Sequence, residues 1–453
     1  MSESAPPDAA AVWRTLWRWH FYAGLLSVPF ILILSITGAL YLFKGDYEHW
    51  EERHWRALPA VAASVDADAQ VAAALARHPG ATLKAYRLPQ AGNDAAVIDI
   101  ETPAGARQIV VSPFGGKVLA EMAPDDRLMT WLRELHGQLL NGRSGGWLVE
   151  LVGSWAFVMV LTGLYLWWPR GRGGAAGVFW PRLRHGRRLF WRDLHAVTGI
   201  WVSGLALLLL LSALPWTGVW GNAFRIAKSV AGVDVRKQDW ATGATGHEGH
   251  AMADMDHGVM AMGPVTLAQL AATARPLALT PPVMIVPPGV VPPGRREPSP
   301  DWIIRAEPQD RTQVVTLTYD ATTGALKSRR DFNDKPGIDQ LVNYGISWHE
   351  GVLFGRLNQA IGVLTALGMG LLAASSLLLW WRRRPDGVLG APPIGLPPAR
   401  LRGAMLLLCV MALLLPLLGV SLLVIALLES LLLRRIPAVA RWLGLRAATM
   451  GAT

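Results

Sequence analysis

Four apolar runs limit what this chain can fold into. Residues 21–43, 147–168, 196–220 and 357–381 are each long enough to cross a bilayer core of about 30 Å, which takes roughly 20 helical residues. A helix of that kind is stable in lipid because it satisfies its own backbone hydrogen bonds. A fifth apolar stretch, 403–433, carries Pro416-Leu417-Leu418-Gly419 near its middle. Charged residues are only 17% of the chain, against about 25% in ordinary soluble domains, so this is not an ordinary soluble protein. The composition also excludes a disordered one, whose signature is low hydrophobicity. The first run is too long for a cleavable signal and lacks a small-residue cleavage site after it.

Arginines mark the ends of these runs: 14–18, 170–192, Arg382-Arg383-Arg384 and 434–446. By the positive-inside rule these segments face the cytoplasm. The expected order is a tail and first span (1–44), an outer domain (45–146), a second span (147–168) and a basic loop (169–194). A third span (195–220), a second outer domain (221–356), a fourth span (357–381) and an inner loop (382–402) follow. The stretch 403–433 then precedes a tail (434–453). A single fifth span would place Arg434, Arg435, Arg441 and Arg446 outside, so a hairpin bent at the Pro-Gly break is favoured. The formal net charge of +10 lies in the inner segments, while the two outer ones are near neutral. The excess is an orientation signal and does not call for nucleic acid. Cysteine occurs once, at Cys409, so there is neither an intrachain disulfide nor a Cys-x-x-Cys-His attachment for covalent haem.

The chain contains a repeat. His20 and His195 are each followed by Gly at +4 (Gly24, Gly199) and by a hydroxyl residue at +17 (Thr37, Ser212). His136 and His349 are each followed by Gly-Arg at +6 and +7 (Gly142-Arg143, Gly355-Arg356) and by Trp-Trp at +31 and +32 (Trp167-Trp168, Trp380-Trp381). Two units, about 13–168 and 191–381, therefore share the order span, outer domain, span. The outer domains match as well: a helical run (67–77; 266–275), short alternating strands (95–101 and 107–112; 301–306 and 312–319) and a Gly turn (112–117; 320–325). The fold class is a membrane α-helical bundle: four main spans plus a C-terminal hydrophobic hairpin or span, with two small α+β outer domains in a duplicated unit. Two copies in one orientation imply a pseudo-two-fold axis along the membrane normal.

Such an axis sets His20 against His195 near the inner face and His136 against His349 near the outer face. Paired imidazoles are the axial ligands of a bis-His b-type haem, so the four histidines suggest two non-covalent haems. The competing reading is four ordinary interfacial histidines. Gly24 and Gly199 would admit a flat macrocycle close to the backbone, or else serve helix packing. Arg143 and Arg356, and less strongly Arg18 and Arg192, suit propionates by bidentate pairing, or else are interfacial cations. Tryptophans at the span ends read as an aromatic belt. Serine, cysteine and paired-carboxylate catalysis have no local signature, so no residue is assigned as a catalytic acid, base or nucleophile.

The segments WRWHFYAGLLSVPFILILSITGALYLF, ELHGQLLNGRSGGWLVELVGSWAFVMVLTGLYLWWPR, RDLHAVTGIW and WHEGVLFGRLNQAIG resemble the PepSY-associated transmembrane (PepSY-TM) proteins of bacterial inner membranes. The resemblance covers roughly 13–384. It implies PepSY-like periplasmic modules and, by analogy with ferrisiderophore reductases that carry two b haems, a multi-pass inner-membrane protein. Such a protein would reduce a periplasmic ferric siderophore or other metal chelate. No internal electron source is legible, so the donor would be a separate cytoplasmic reductase, a quinol or a soluble reductant.

One segment departs from that pattern. GHEGHAMADMDHGVMAMG (246–263) brings His247, His250 and His257 together with Met252, Met255, Met260 and Met262. Thioether and imidazole ligands select copper, so a periplasmic copper reductase or copper-handling protein is an alternative, and a biased polar linker is another. A non-redox scaffold or peptidase-inhibitor module has no need of paired histidines. A transporter should carry ionisable groups at mid-membrane, yet the four main runs contain only Glu150, near an end.

Overall fold

The computed structural model describes residues 7–169, 175–233, 265–292, 297–392 and 401–445. Contacts divide the chain into two compact units: Met1–Ala39, His136–Ala223 and Ile361–Thr453 form one, and Leu40–Leu135 and Phe224–Ala360 form the other.

In chain order, α1 (Pro7–Tyr41), α2 (Lys44–Glu51) and α3 (Ala67–Leu75) precede β1 (Thr82–Leu88), β2 (Ala96–Thr102), β3 (Gly105–Val111) and β4 (Val118–Met122). Helices α4 (Leu128–Gln138), α5 (Gly142–Trp167), α6 (Arg187–Ala213), α7 (Val219–Val230) and α8 (Leu267–Ala274) follow. Then come β5 (Val283–Val286), β6 (Trp302–Ala306), β7 (Val315–Tyr319) and β8 (Leu326–Arg330). The chain closes with α9 (Gly337–His349), α10 (Gly355–Arg383), α11 (Arg402–Leu414), α12 (Pro416–Leu428) and α13 (Pro437–Trp442).

Five helices are long and apolar enough to cross a membrane: Ala10–Tyr41, Gly142–Trp167, Arg187–Trp216, Gly355–Arg383 and Pro416–Leu433. The first three start well before the corresponding apolar runs. A helix does not stop where hydrocarbon ends, and polar residues in its interfacial turns continue the same backbone ladder. The third ends early, because Pro215 lies in a 3₁₀ turn at Leu214–Trp216 and the chain restarts as α7 at Val219.

The C-terminal stretch folds as a hairpin. Leu415 leaves the helical conformation (φ −121°, ψ 88°) between α11 and α12. The arms then lie so close that a Cβ on Gly419 would be 2.8 Å from the Ala412 carbonyl oxygen. Met411, Leu415 and Leu418 pack with Ala23, Trp155, Phe157 and Val158, and Trp155 Nε1 donates to Ser421 Oγ at 3.2 Å. Both flanks of the hairpin meet one side chain: Arg18 donates to the carbonyl oxygens of Pro392 and Gly444, each at 2.7 Å. Both flanks of the hairpin therefore come back to Arg18.

In the other unit the strands form one eight-stranded antiparallel sheet, ordered β4-β3-β2-β1-β5-β6-β7-β8. Sequence patterning suggests two separate modules; the structure joins them edge to edge, with Tyr86, Arg87 and Leu88 of β1 opposite Ile285, Met284 and Val283 of β5. Period-two alternation builds the core. Tyr86, Ile98, Ile100, Ile109, Ile285, Trp302, Ile304 and Leu317 all turn to the face covered by α3 and α8, where they meet Val71, Ala74, Leu267, Leu270 and Ala274. Local signals start the two helices: Asp66 Oδ1 accepts from Ala69 N at 2.8 Å, and Thr266 forms a capping box with Gln269. The extra strands β1, β4, β5 and β8 are those that the alternation pattern misses. Strand β5 is four residues between two proline pairs, a context that argues against a strand by sequence alone.

Candidate functional site

Three of the four singled-out histidines are held in the same way, each by a hydroxyl on a helix other than its own. His20 of α1 places Nδ1 3.0 Å from Thr162 Oγ1 of α5. His195 of α6 places Nδ1 3.0 Å from Ser375 Oγ of α10. His136 of α4 places Nδ1 3.0 Å from Thr37 Oγ1 of α1. The direction of these bonds follows from proton counting, because a hydroxyl has one hydrogen to give. Thr162 donates its own to the Val158 carbonyl at 2.7 Å, Ser375 to Leu372 at 3.1 Å and Thr37 to Ile33 at 2.7 Å. With its hydrogen on that carbonyl, each hydroxyl accepts from the imidazole. This arrangement puts the proton on Nδ1 and the lone pair on Nε2, as a metal-ligating histidine needs.

His20 and His195 come together. Their ring centres are 6.4 Å apart, with the planes 82° to each other. Two metal–imidazole bonds of about 2.0–2.1 Å, with about 1.1 Å from Nε2 to ring centre added at each end, make a span of about 6.3 Å. The separation of the ring centres thus matches that of two imidazoles ligating one metal ion, and a donor set of two imidazoles suits iron in a macrocycle.

Two glycines make room for the rings. A Cβ on Gly163 would lie 3.2 Å from His20 Cε1, and one on Gly38 would lie 3.1 Å from His136 Cε1. Both follow directly on the threonine that binds the same ring. By contrast, a Cβ on Gly24 would meet Met159 Sδ at 3.8 Å and one on Gly199 would meet Leu372 Cδ2 at 3.7 Å, both ordinary helix-packing distances.

The four arginines are placed as follows. Arg18, besides the two carbonyls, lies over the Tyr22 ring at 5.1 Å. Arg192 donates to Asp193 at 2.9 and 3.2 Å, and Arg182 grips the same carboxylate at 2.6 and 2.9 Å. Arg143 lies 5.3 Å over the Trp147 ring. Arg356, in the unit with the sheet, forks onto Asp46 at 2.6 and 2.7 Å. Three of the four are thus bound to oxygen acceptors of the protein itself. His349 closes α9 as His136 nearly closes α4, each at the entrance to a span-length helix; the two belong to different units.

Glu150 has a defined task. Buried in α5, its Oε2 accepts from Val219 N at 2.8 Å and its Oε1 from Trp220 N at 2.9 Å, which caps the first turn of α7. Among the described residues no group of three or more His, Cys, Asp and Glu could hold a metal. The segment with His247, His250, Met252, Met255 and His257 lies outside the described residues.

Sequence reasoning passed over Thr162, Ser375, Gly38 and Gly163. A signal for them exists: Thr37-Gly38 and Thr162-Gly163 sit in near-identical contexts, ITGALYLF and LTGLYLWW, and Ser212-Ala213 and Ser375-Ser376 occupy the corresponding places later in the chain. A hydroxyl followed by a small residue is the seat of a ring.

A family model described as the PepSY-associated TM region matches residues 17–383. No curated protein matches the sequence.

Proposed function

The chain belongs to the PepSY-associated transmembrane family, and we propose that it is a two-haem b-type electron-transfer protein that delivers electrons across a bacterial inner membrane to a metal chelate outside. A ferric siderophore is the substrate that best suits this reading. The observation that carries it is the His20–His195 pair, with ring centres 6.4 Å apart and both Nδ1 atoms tied down. The repeat supports it too: the contact of His20 with Thr162 recurs as that of His195 with Ser375, and Thr162 and Ser375 stand at the same offset from His136 and His349. A second haem rests on the sequence alone, which pairs His136 with His349.

In this reading His20, His195, His136 and His349 present neutral imidazoles as axial ligands, and the apolar walls of the spans exclude water from them. When bound, haem supplies one-electron chemistry at a potential set by ligand and burial. Thr162 and Ser375 fix the orientation of the inner rings, and Gly163 leaves room for one of them. The arginine-marked ends lie in the cytoplasm, where a separate donor or quinol gives up its electron, and the sheet lies in the periplasm. The sheet unit, near neutral in net charge, would receive the small complex. Reduction lowers the charge on ferric iron, weakening its hold on hard oxygen ligands and releasing the ion.

The visible spectrum tests this. Purified protein made with full haem supply should show a sharp reduced α band and about two haems per chain, with His20→Ala and His136→Ala each removing one. A colourless protein, or loss of both haems from either variant, overturns the reading.

A further inference from the structure

We propose that Thr162, Ser375 and Thr37 are positioning residues that set the reduction potentials of the two sites, with Thr162 and Ser375 acting on one site and Thr37 on the other. The inference rests on the bis-histidine reading above.

Three contacts of 3.0 Å carry it. Each joins a ring Nδ1 to a hydroxyl that also lies within hydrogen-bond reach of a backbone carbonyl; with the hydroxyl hydrogen on that carbonyl, the ring is the donor. A hydrogen bond accepted from Nδ1–H makes Nε2 a stronger donor, which stabilises the more highly charged state of a bound metal. The acceptors here are neutral. A carboxylate in the same place would draw the proton further and push the ligand toward imidazolate, whereas a hydroxyl leaves it a neutral imidazole.

Position adds a second argument. Every acceptor belongs to a different helix from its histidine: α5 holds the ring on α1, α10 holds the ring on α6, and α1 holds the ring on α4. Ring orientation is therefore fixed by packing between helices and not by the rotamer freedom of one side chain. The two inner seats also differ, since Thr162 is followed by Gly163, pressed against His20, while Ser375 is followed by Ser376, whose hydroxyl turns back to the Ala373 carbonyl at 2.8 Å. The two faces of one metal would have unequal rigidity.

The test is a spectroelectrochemical titration of the full-length haem-loaded protein in detergent, with haem per chain measured alongside. Thr162→Val and Ser375→Ala should keep two haems per chain and raise the same one of two midpoints. Thr37→Val should raise the other, and Thr162→Ser should restore the wild-type value. Should Thr162→Val fold poorly, Ser375→Ala carries the same comparison. Unmoved midpoints, or Thr37→Val and Ser375→Ala moving the same one, overturn the proposal while leaving the two-haem reading intact. Wild-type protein that binds no haem overturns the earlier reading instead. Haem-free protein offers a separate check: nitrogen NMR of its histidines should show the proton on Nδ1 of His20 and lose that preference in Thr162→Val.

Discussion

Arg18 Nη2 donates to the carbonyl oxygen of Gly444 at 2.7 Å, across 426 positions of sequence. With the matching bond from Nη1 to Pro392, one guanidinium fastens both flanks of the C-terminal hairpin to the start of α1. Hydrogen bonds from a charged donor contribute about 1.5–3 kcal/mol each when buried, and less in this half-exposed setting. Arg18→Gln should therefore speed chymotrypsin cleavage at Trp442 and leave haem content unchanged. Lost haem with a still-protected tail would instead favour a propionate role for Arg18.

Gly163 and Gly38 should tolerate nothing larger. Added methyl groups would press on His20 and His136 at 3.2 and 3.1 Å, and overpacking of this kind costs about 1–3 kcal/mol. Gly163→Ala should weaken retention of the inner haem and Gly38→Ala that of the outer one, as read by haem loss to a soluble acceptor. Gly204→Ala is the control, since nothing lies within 4 Å of a Cβ there; equal loss in all three variants would refute the seat.

Glu150 is expected to matter for stability and not for transport. Glu150→Ala leaves two backbone N–H groups at the start of α7 without their acceptor, at about 1–3 kcal/mol each, whereas Glu150→Gln keeps one oxygen acceptor. Melting temperatures in detergent should fall in the order wild type, Glu150→Gln, Glu150→Ala. A Gln variant with normal melting and abolished electron transfer would point to proton chemistry at this position.

Asp99 on β2 gives a pH signature. Burial holds its carboxyl above the usual carboxylate range, against the opposing pull of Arg87, the bond from Gln108 Nε2 at 2.8 Å and Arg127. A folded-state pKa raised above the unfolded value of about 3.9 means that stability is full below that pH and declines as pH rises through the folded value. Asp99→Asn should therefore raise the melting temperature near pH 7 and give no advantage near pH 4. Destabilisation at pH 7 would show that the ionised group is held by Arg87 and Arg127 more strongly than burial opposes it.

Much of this is legible in the sequence itself. Long apolar runs mark spans because lipid leaves few alternatives, and the offsets from His20 and His195 single out residues that meet in space. Thr37 also surfaces in the repeat, although its contact with His136 does not, because a repeat reveals equivalence and not adjacency. Thr162 and Ser375 escape notice since a hydroxyl inside a span is ordinary composition until its partner is known. Arg18 misleads for a related reason: its partners are backbone carbonyls, which every residue possesses and no pattern distinguishes. In the sheet, β2 and β3 follow from alternation, while β5, short and fenced by prolines, depends on neighbouring strands.

The pairing of β1 with β5 also bears on what happens when the chain is divided. Cutting between the two halves of the sheet would uncover the edge at Tyr86–Leu88 on one fragment and at Val283–Ile285 on the other. Unpaired N–H and C=O groups along a long sheet recruit whatever strand is at hand. A fragment holding the first four strands would then self-associate edge to edge, or rejoin its missing half when the two are expressed together. The intact polypeptide avoids that hazard by supplying both edges in a fixed one-to-one ratio.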